Sequence, residues 1–115
     1  MKPAVIWIID GDQWPRALLR AELIERGYDA VGFLTVRDAI DALPERAPDA
    51  IVVDLRGQLP RHVERLPRIG VPVIVIAPAI DDEDVPVGEW ARILRRPVAI
   101  GEVADAVAAA LATRE

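Results

Sequence analysis

The stretch "AVIWIIDGD", residues 4–12, decides how the chain folds. Its six apolar residues show no polar–apolar alternation and then meet acid, glycine, acid. A short, unbroken apolar run of this kind suits a strand buried on both faces, as in a parallel sheet. A helix follows. Asp12 is placed to cap it, and Pro15 falls in the first turn, where a missing N–H does no harm. Trp14, Leu18, Ala21 and Ile24 form one apolar stripe, with Arg16, Arg20 and Glu22 elsewhere, and Gly27 is a fitting stop.

The same alternation continues outward. A weaker strand is expected at 29–33 (DAVGF), then a helix over 35–43 carrying Val36, Ala39, Ile40 and Leu43, limited by Pro44 and Pro48. A third strand, 50–53 (AIVV), runs into Asp54. A short helix within 59–69 turns Val63 and Leu66 inward. The fourth strand is 72–76 (PVIVI). Residues 79–90 are acidic and broken by Pro86 and Gly88, which argues against a full helix. A short strand, 91–94 (ARIL), precedes Arg95-Arg96-Pro97, and a last helix over 100–113 turns Ile100, Val103, Val107 and Leu111 to one side. Five βα units with short links imply an α/β fold: a flavodoxin-like, doubly wound, five-stranded parallel sheet, (βα)5, in three α/β/α layers.

Bulk properties bound the function. At 115 residues the chain is expected to form one domain, residues 1–115. Hydrophobic residues make up 52%, aromatics only 4%, so the core is aliphatic. A net charge of −5 argues against direct nucleic-acid binding, although Arg92, Arg95 and Arg96 form a small basic patch. There is no cysteine, hence no disulfide or thiolate chemistry. The N-terminal apolar run is far too short to span a bilayer and no cleavage site follows it, so a cytoplasmic protein is expected.

Reactive groups in such sheets gather beyond the carboxyl ends of the strands. Those ends carry Asp10, Gly11 and Asp12, then Asp54, then Ala77-Pro78, then Arg95-Arg96-Pro97. Neighbouring first and third strands would set Asp10 beside Asp54. Clustered carboxylates repel unless a cation intervenes, either Mg²⁺ or a guanidinium.

"IIDGDQWPRALL" (8–19), "PDAIVVDL" (48–55), "VPVIVIAPA" (71–79) and "RRPV" (95–98) resemble the receiver domain of bacterial two-component response regulators, of the chemotaxis-regulator type, over nearly the whole chain. The resemblance implies that Asp54 stands at the phosphoacceptor position. It also implies departures. Gly11 stands where a second acid normally ligates Mg²⁺. Ala77 stands where a Ser or Thr closes on the phosphoryl group, Arg96 where a lysine binds it, and Ile93 where an aromatic switch sits.

An Mg²⁺ site at Asp10, Asp12 and Asp54 is therefore expected to be weak or lost, with Asp12 serving as helix cap. No other cofactor is implied. Arg96 would instead pair with Asp10 and Asp54, and Arg56 either joins it as a counter-ion or stays a solvated loop charge. Because phosphoryl transfer relies on a metal to neutralise charge, a weakened metal site undermines the chemistry. The resemblance thus implies a non-enzymatic pseudo-receiver, a protein-interaction module in signalling. A working phosphoacceptor, with Asp12 and Arg96 as substitutes, is the competing reading. A small-ligand binder is a third, weakened by the lack of a glycine-rich phosphate loop and by an expected negative pocket that would repel phosphates.

Implied partners are other signalling proteins, a histidine kinase or an output domain. Trp90, Ile93 and Arg95 are the candidate interface, and a homodimer through the region Trp90 to Val107 is possible on the family pattern. Trp90 has an alternative role as a plug under the shortened segment. Trp7 is expected in the core, Trp14 beside the acidic pocket or packed on the first helix, and His62 on the surface. A free-standing module and one followed by an output domain after Glu115 both fit.

Overall fold

The computed structural model describes residues 2–79 and 85–113. In chain order the elements are β1 (Val5–Ile9), α1 (Gln13–Glu25), β2 (Asp29–Phe33), α2 (Val36–Asp41), β3 (Ala50–Asp54), α3 (Pro60–Val63), a 3₁₀ turn (Leu66–Ile69), β4 (Val73–Ala77), β5 (Arg92–Arg95) and α4 (Ile100–Thr113). All strand pairings are parallel, in the order β2-β1-β3-β4-β5. The flavodoxin-like α/β architecture expected from the aliphatic runs is what forms. Each strand lies within one or two residues of its expected position. The acidic stretch expected to be irregular falls partly at residues 80–84, outside the described residues. Among those described, no helix separates β4 from β5.

Strand geometry sorts the core into two layers, because successive side chains point to opposite faces. Ile6, Ile8, Val52, Ile74 and Ile76 pack under α1 and α4, against Leu19, Leu23, Val103 and Val107. Trp7, Ile9, Ile51, Val53, Val73 and Val75 face the other way, against Val36, Ala39, Val63 and Leu66. Trp7 is fully buried as expected. Its ring meets Phe33 edge-on at 5.4 Å, and its Nε1–H donates to the Arg46 carbonyl at 2.8 Å.

The first helix departs from its expected orientation. Asp12 does cap it, accepting from the Trp14 N–H, and Gly27, at φ 95°, ends it in the left-handed region that a side chain would disfavour. The inward row, however, is Leu19 and Leu23. The stripe of Trp14, Leu18 and Ile24 faces out, with Trp14 74% exposed. The two rows are about 100° apart on the helix, and both satisfy the 3.6-residue period. The row one residue on from Trp14–Leu18 is the one the sheet covers. Trp14 therefore neither flanks the acidic pocket nor packs inward.

Beyond β4, Trp90 turns inward as a plug. It packs on the second core layer, donates Nε1–H to the Pro86 carbonyl at 2.8 Å, and lies against Gly88 so closely that a Cβ there would stand 2.8 Å from its ring.

The packing predicts unequal costs on α1. Leu23→Ala should lose about 2–5 kcal/mol, whereas Leu18→Ala should lose no more than about 0.5 kcal/mol. Urea unfolding of the two variants measures this, and equal losses would contradict the assignment of the helix face.

Candidate functional site

The sheet order creates the site. The chain leaves β1 toward β2 and returns on the other side as β3, so β1 and β3 are neighbours whose carboxyl ends adjoin. Ile9 pairs with Val53 in register, which sets Asp10 and Asp54 side by side. Both are buried, 4% and 3% exposed. Two buried carboxylates at adjoining strand ends carry a large desolvation cost and repel one another unless paired.

Two arginines do the pairing. Arg56 Nη2 donates to Asp10 Oδ2 at 3.4 Å and to Asp54 Oδ2 at 3.3 Å. Arg96 Nη1 donates to Asp54 Oδ1 at 2.5 Å. The Arg56 backbone N–H also reaches Asp54 Oδ1, at 2.9 Å, and the Asp12 N–H reaches Asp10 Oδ1 at 2.8 Å. Arg96 arrives from the end of β5, followed by a cis Arg96–Pro97 bond. Among the described residues, no buried side-chain nitrogen or oxygen lacks a hydrogen-bond partner.

Asp10 is the less well served acid. Burial pushes its carboxyl above the ordinary value of 3.8, and the neighbouring Asp54 charge adds to the rise. The Asp12 N–H and the Arg56 guanidinium oppose it.

The donor set does not fit the Mg²⁺ that the resemblance implies. Both oxygens of Asp10 and of Asp54 already accept N–H donors. Gly11 offers no carboxylate, and Asp12 is exposed and accepts the Trp14 N–H as a helix cap. Among the described residues no group of three or more His, Cys, Asp or Glu is arranged to hold a metal. Gly11 has a second consequence. A Cβ there would lie 3.1 Å from the Arg56 carbonyl oxygen and 3.4 Å from Gly57 Cα, so the glycine lets the two corner loops close on each other.

The other expected residues fall into two groups. Ala77 ends β4 fully buried, with no hydroxyl to present. Ile93 is 41% exposed on β5, and Arg95 donates to the Pro78 carbonyl at 3.2 Å. His62 is half-buried on α3. Two residues with positional roles had not been singled out. Arg16 donates Nη1 to the Asp10 carbonyl at 2.7 Å, and its methylenes lie over Gly32, where a Cβ would stand 3.2 Å away. Gln58 accepts from the Val36 N–H at 3.0 Å and donates to the Leu34 carbonyl at 2.9 Å, tying the β2–α2 corner to the β3–α3 corner. The position of Arg16 one turn inside α1 is a usable signal for it. Gln58 has none, because its partners lie more than twenty residues away in sequence.

No family model and no curated protein matches the chain. Solved structures do. A response regulator receiver protein from Sinorhizobium medicae WSM419 superimposes with a TM-score of 0.83 at 21% identity, covering 99% of this chain and 98% of that one. The signal receiver domain of a modulated diguanylate cyclase from Desulfovibrio desulfuricans G20 gives 0.79 at 25% identity, with 97% and 96% covered. The N-terminal domain of a response regulator/sensory box/GGDEF three-domain protein from Carboxydothermus hydrogenoformans gives 0.79 at 18% identity, with 96% and 95% covered. The fold is that of response-regulator receiver domains.

Two stability measurements follow from the charges. A carboxyl whose folded value is raised binds its proton more tightly when folded. That contribution favours folding below 3.8 and is lost as pH rises through the folded value. Ionised Asp10 thus costs stability at neutral pH, so Asp10→Asn should raise Tm there, with a gain that vanishes below pH 3.8. A gain that persists in acid would contradict the assignment. For the ion pair, Arg96→Gln should cost about 1–3 kcal/mol by leaving Asp54 half-satisfied. Adding Asp54→Asn should return most of that loss in a double-mutant cycle. Strictly additive losses would show that the two side chains do not interact.

Proposed function

We propose that this chain is a pseudo-receiver, a signalling module in which a permanent ion pair stands in place of a phosphorylation switch. One observation carries the reading: Asp54 accepts from both Arg56 and Arg96, with the Arg96 contact at 2.5 Å. In a receiver, Asp54 would be the phosphoacceptor. Here its oxygens are engaged by guanidinium groups that cannot lose their charge. Attack on a phosphodonor requires a free carboxylate oxygen and a metal to neutralise the transferring group. The arginines obstruct the first requirement, and the donor set does not support the second. Ala77 in turn cannot bind a phosphoryl oxygen, so even an added group would go unsensed at that strand.

The module works in the cytoplasm through protein contacts, with a histidine kinase, an output domain or a second copy as partner, and not by direct contact with nucleic acid. Output domains are favoured by the receiver-like neighbour that is one part of a three-domain regulator. The partner surface lies on β5 and α4, within Trp90 to Val107. Trp90 is spent on internal packing, so Ile93 and the adjoining Arg92 are its exposed contact residues. Among the described residues no helix is long and apolar enough to cross a membrane.

Incubation with acetyl phosphate and Mg²⁺, followed by intact-mass analysis, tests the reading. No phosphoryl adduct should form on the wild-type chain. A stable adduct that Asp54→Asn removes would establish the competing one, a working phosphoacceptor.

A further inference from the structure

Three of the seven large apolar side chains that stand exposed among the described residues lie on α1: Trp14, Leu18 and Ile24, at 74%, 47% and 45%. With the exposed Ala17 and Ala21 between them, they form a face on the far side of the helix from Leu19 and Leu23. The chain is described without a break from residue 2 to residue 79, so no gap interrupts this face. Its spacing is that of a two-stranded coiled coil. Trp14, Ala17, Ala21 and Ile24 fall three, four and three residues apart, the a-d-a-d order of a heptad seam. A hollow of about 260 Å³, lined by Gln13, Trp14 and Ala17, opens at the start of the seam. In a parallel pair, an a-position side chain enters a hole made by the facing a residue, the g residue before it and the d residues on either side. Gln13, Trp14 and Ala17 fill three of those four positions, so the hollow stands where Trp14 of a second copy would enter.

The charged flanks favour a second copy over a foreign helix. In this register Arg20 is a g position and Glu25 the e position that follows it. Arg20 gives Nε to the Ala30 carbonyl at 3.0 Å, which leaves its two Nη groups without a partner among the described residues. The exposed Glu25 carboxylate has none there either. The two side chains lie on opposite flanks of the seam and cannot meet within one chain. In a parallel pair, the g residue of one helix meets the e residue five positions on in the other. Arg20 then faces Glu25 of the second copy, and the two-fold axis makes the pair twice. An antiparallel pair would set Arg20 against Gln13 and Glu25 against Leu18, with neither charge answered.

We propose that α1 is a self-association surface on which two copies of this chain pair through parallel α1 helices, with Trp14, Ala17, Ala21 and Ile24 in the seam and two Arg20–Glu25 pairs closing it. An exposed tryptophan is a strong anchor for such a contact. The alanines at the inner positions let the facing backbone approach closely. A seam of under two heptads is at the small end of interfaces, so the dimer is weak and concentration-dependent. It needs nothing from Asp54, goes beyond the pseudo-receiver reading, and leaves β5 and α4 open to another protein.

Sedimentation equilibrium of the full chain at low ionic strength, where exposed charges are least screened, tests this. A reversible monomer–dimer equilibrium is expected. Ala21→Glu sets a charge in the seam at an exposed position and should weaken the dimer about tenfold or more, with the circular dichroism spectrum unchanged. Arg20→Glu and Glu25→Arg each place like charges across the seam and should each weaken it about fivefold. An equimolar mixture of those two variants restores both opposite-charge pairs and should dimerise within about twofold of the wild type. The Ala30 contact is lost in Arg20→Glu alone and in the mixture alike, so the recovery reads the pairs. A chain that stays monomeric at its solubility limit would overturn the proposal and leave the face to a helix of another protein. A dimer that Ala21→Glu leaves intact would overturn it too, as would a mixture no tighter than its components. A phosphoryl adduct at Asp54 in the earlier experiment removes the pseudo-receiver reading and leaves this one standing.

Discussion

Two carboxylates buried at adjoining strand ends are the constraint around which this molecule is built. Asp10 and Asp54 are each almost wholly removed from water. Their charges cannot be left alone in that setting, because an unpaired buried charge costs several kcal/mol, on the order of the stability of a small domain. The sheet cannot separate them, since β1 and β3 are hydrogen-bonded in register up to Ile9 and Val53. A cation must be supplied. The chain supplies two of its own, one from two residues after the acid it serves and one from the far side of the sheet, at the end of β5. The second matters more for the architecture. Arg96 ties β5 to β3 across β4, closing the carboxyl edge from its outer flank.

A fixed counter-charge has a different character from an exchangeable one. A bound metal comes and goes with concentration and makes the site responsive. A guanidinium on the same chain is present at an effective concentration set by the fold. The edge is tied further by Gln58 between neighbouring corners and by Arg16 under the Asp10 carbonyl.

Much of this could be read in the linear chain, for reasons that differ by element. The strands of the core were legible because unbroken aliphatic runs such as residues 5–9 and 73–76 have few other solutions in a protein this small. Asp10 and Asp54 could be brought together before any coordinates, because a flavodoxin-like order makes the first and third strands neighbours, and the receiver resemblance added Arg96 at the position of its lysine. The outward row on α1 was misjudged because Trp14-Leu18 and Leu19-Leu23 have the same spacing. Only the neighbouring sheet distinguishes them. Arg56 was evenly balanced between solvent and site, a matter of how tightly one turn closes. Gln58 was invisible, since its hydrogen bonds join corners that are remote in sequence. Local pattern encodes elements well and encodes contacts between loops hardly at all.

Gly11 bears on what the acidic corner can accommodate. A carboxylate placed at that position would need only one residue to change. Yet the space its side chain would occupy lies 3.1 Å from the carbonyl of Arg56, so the neighbouring loop would have to yield by a few tenths of an ångström to admit it. The newcomer would also meet a guanidinium already seated on both Asp10 and Asp54. A third acid is therefore not a change of one side chain alone: the facing backbone and the arginine would have to give way with it.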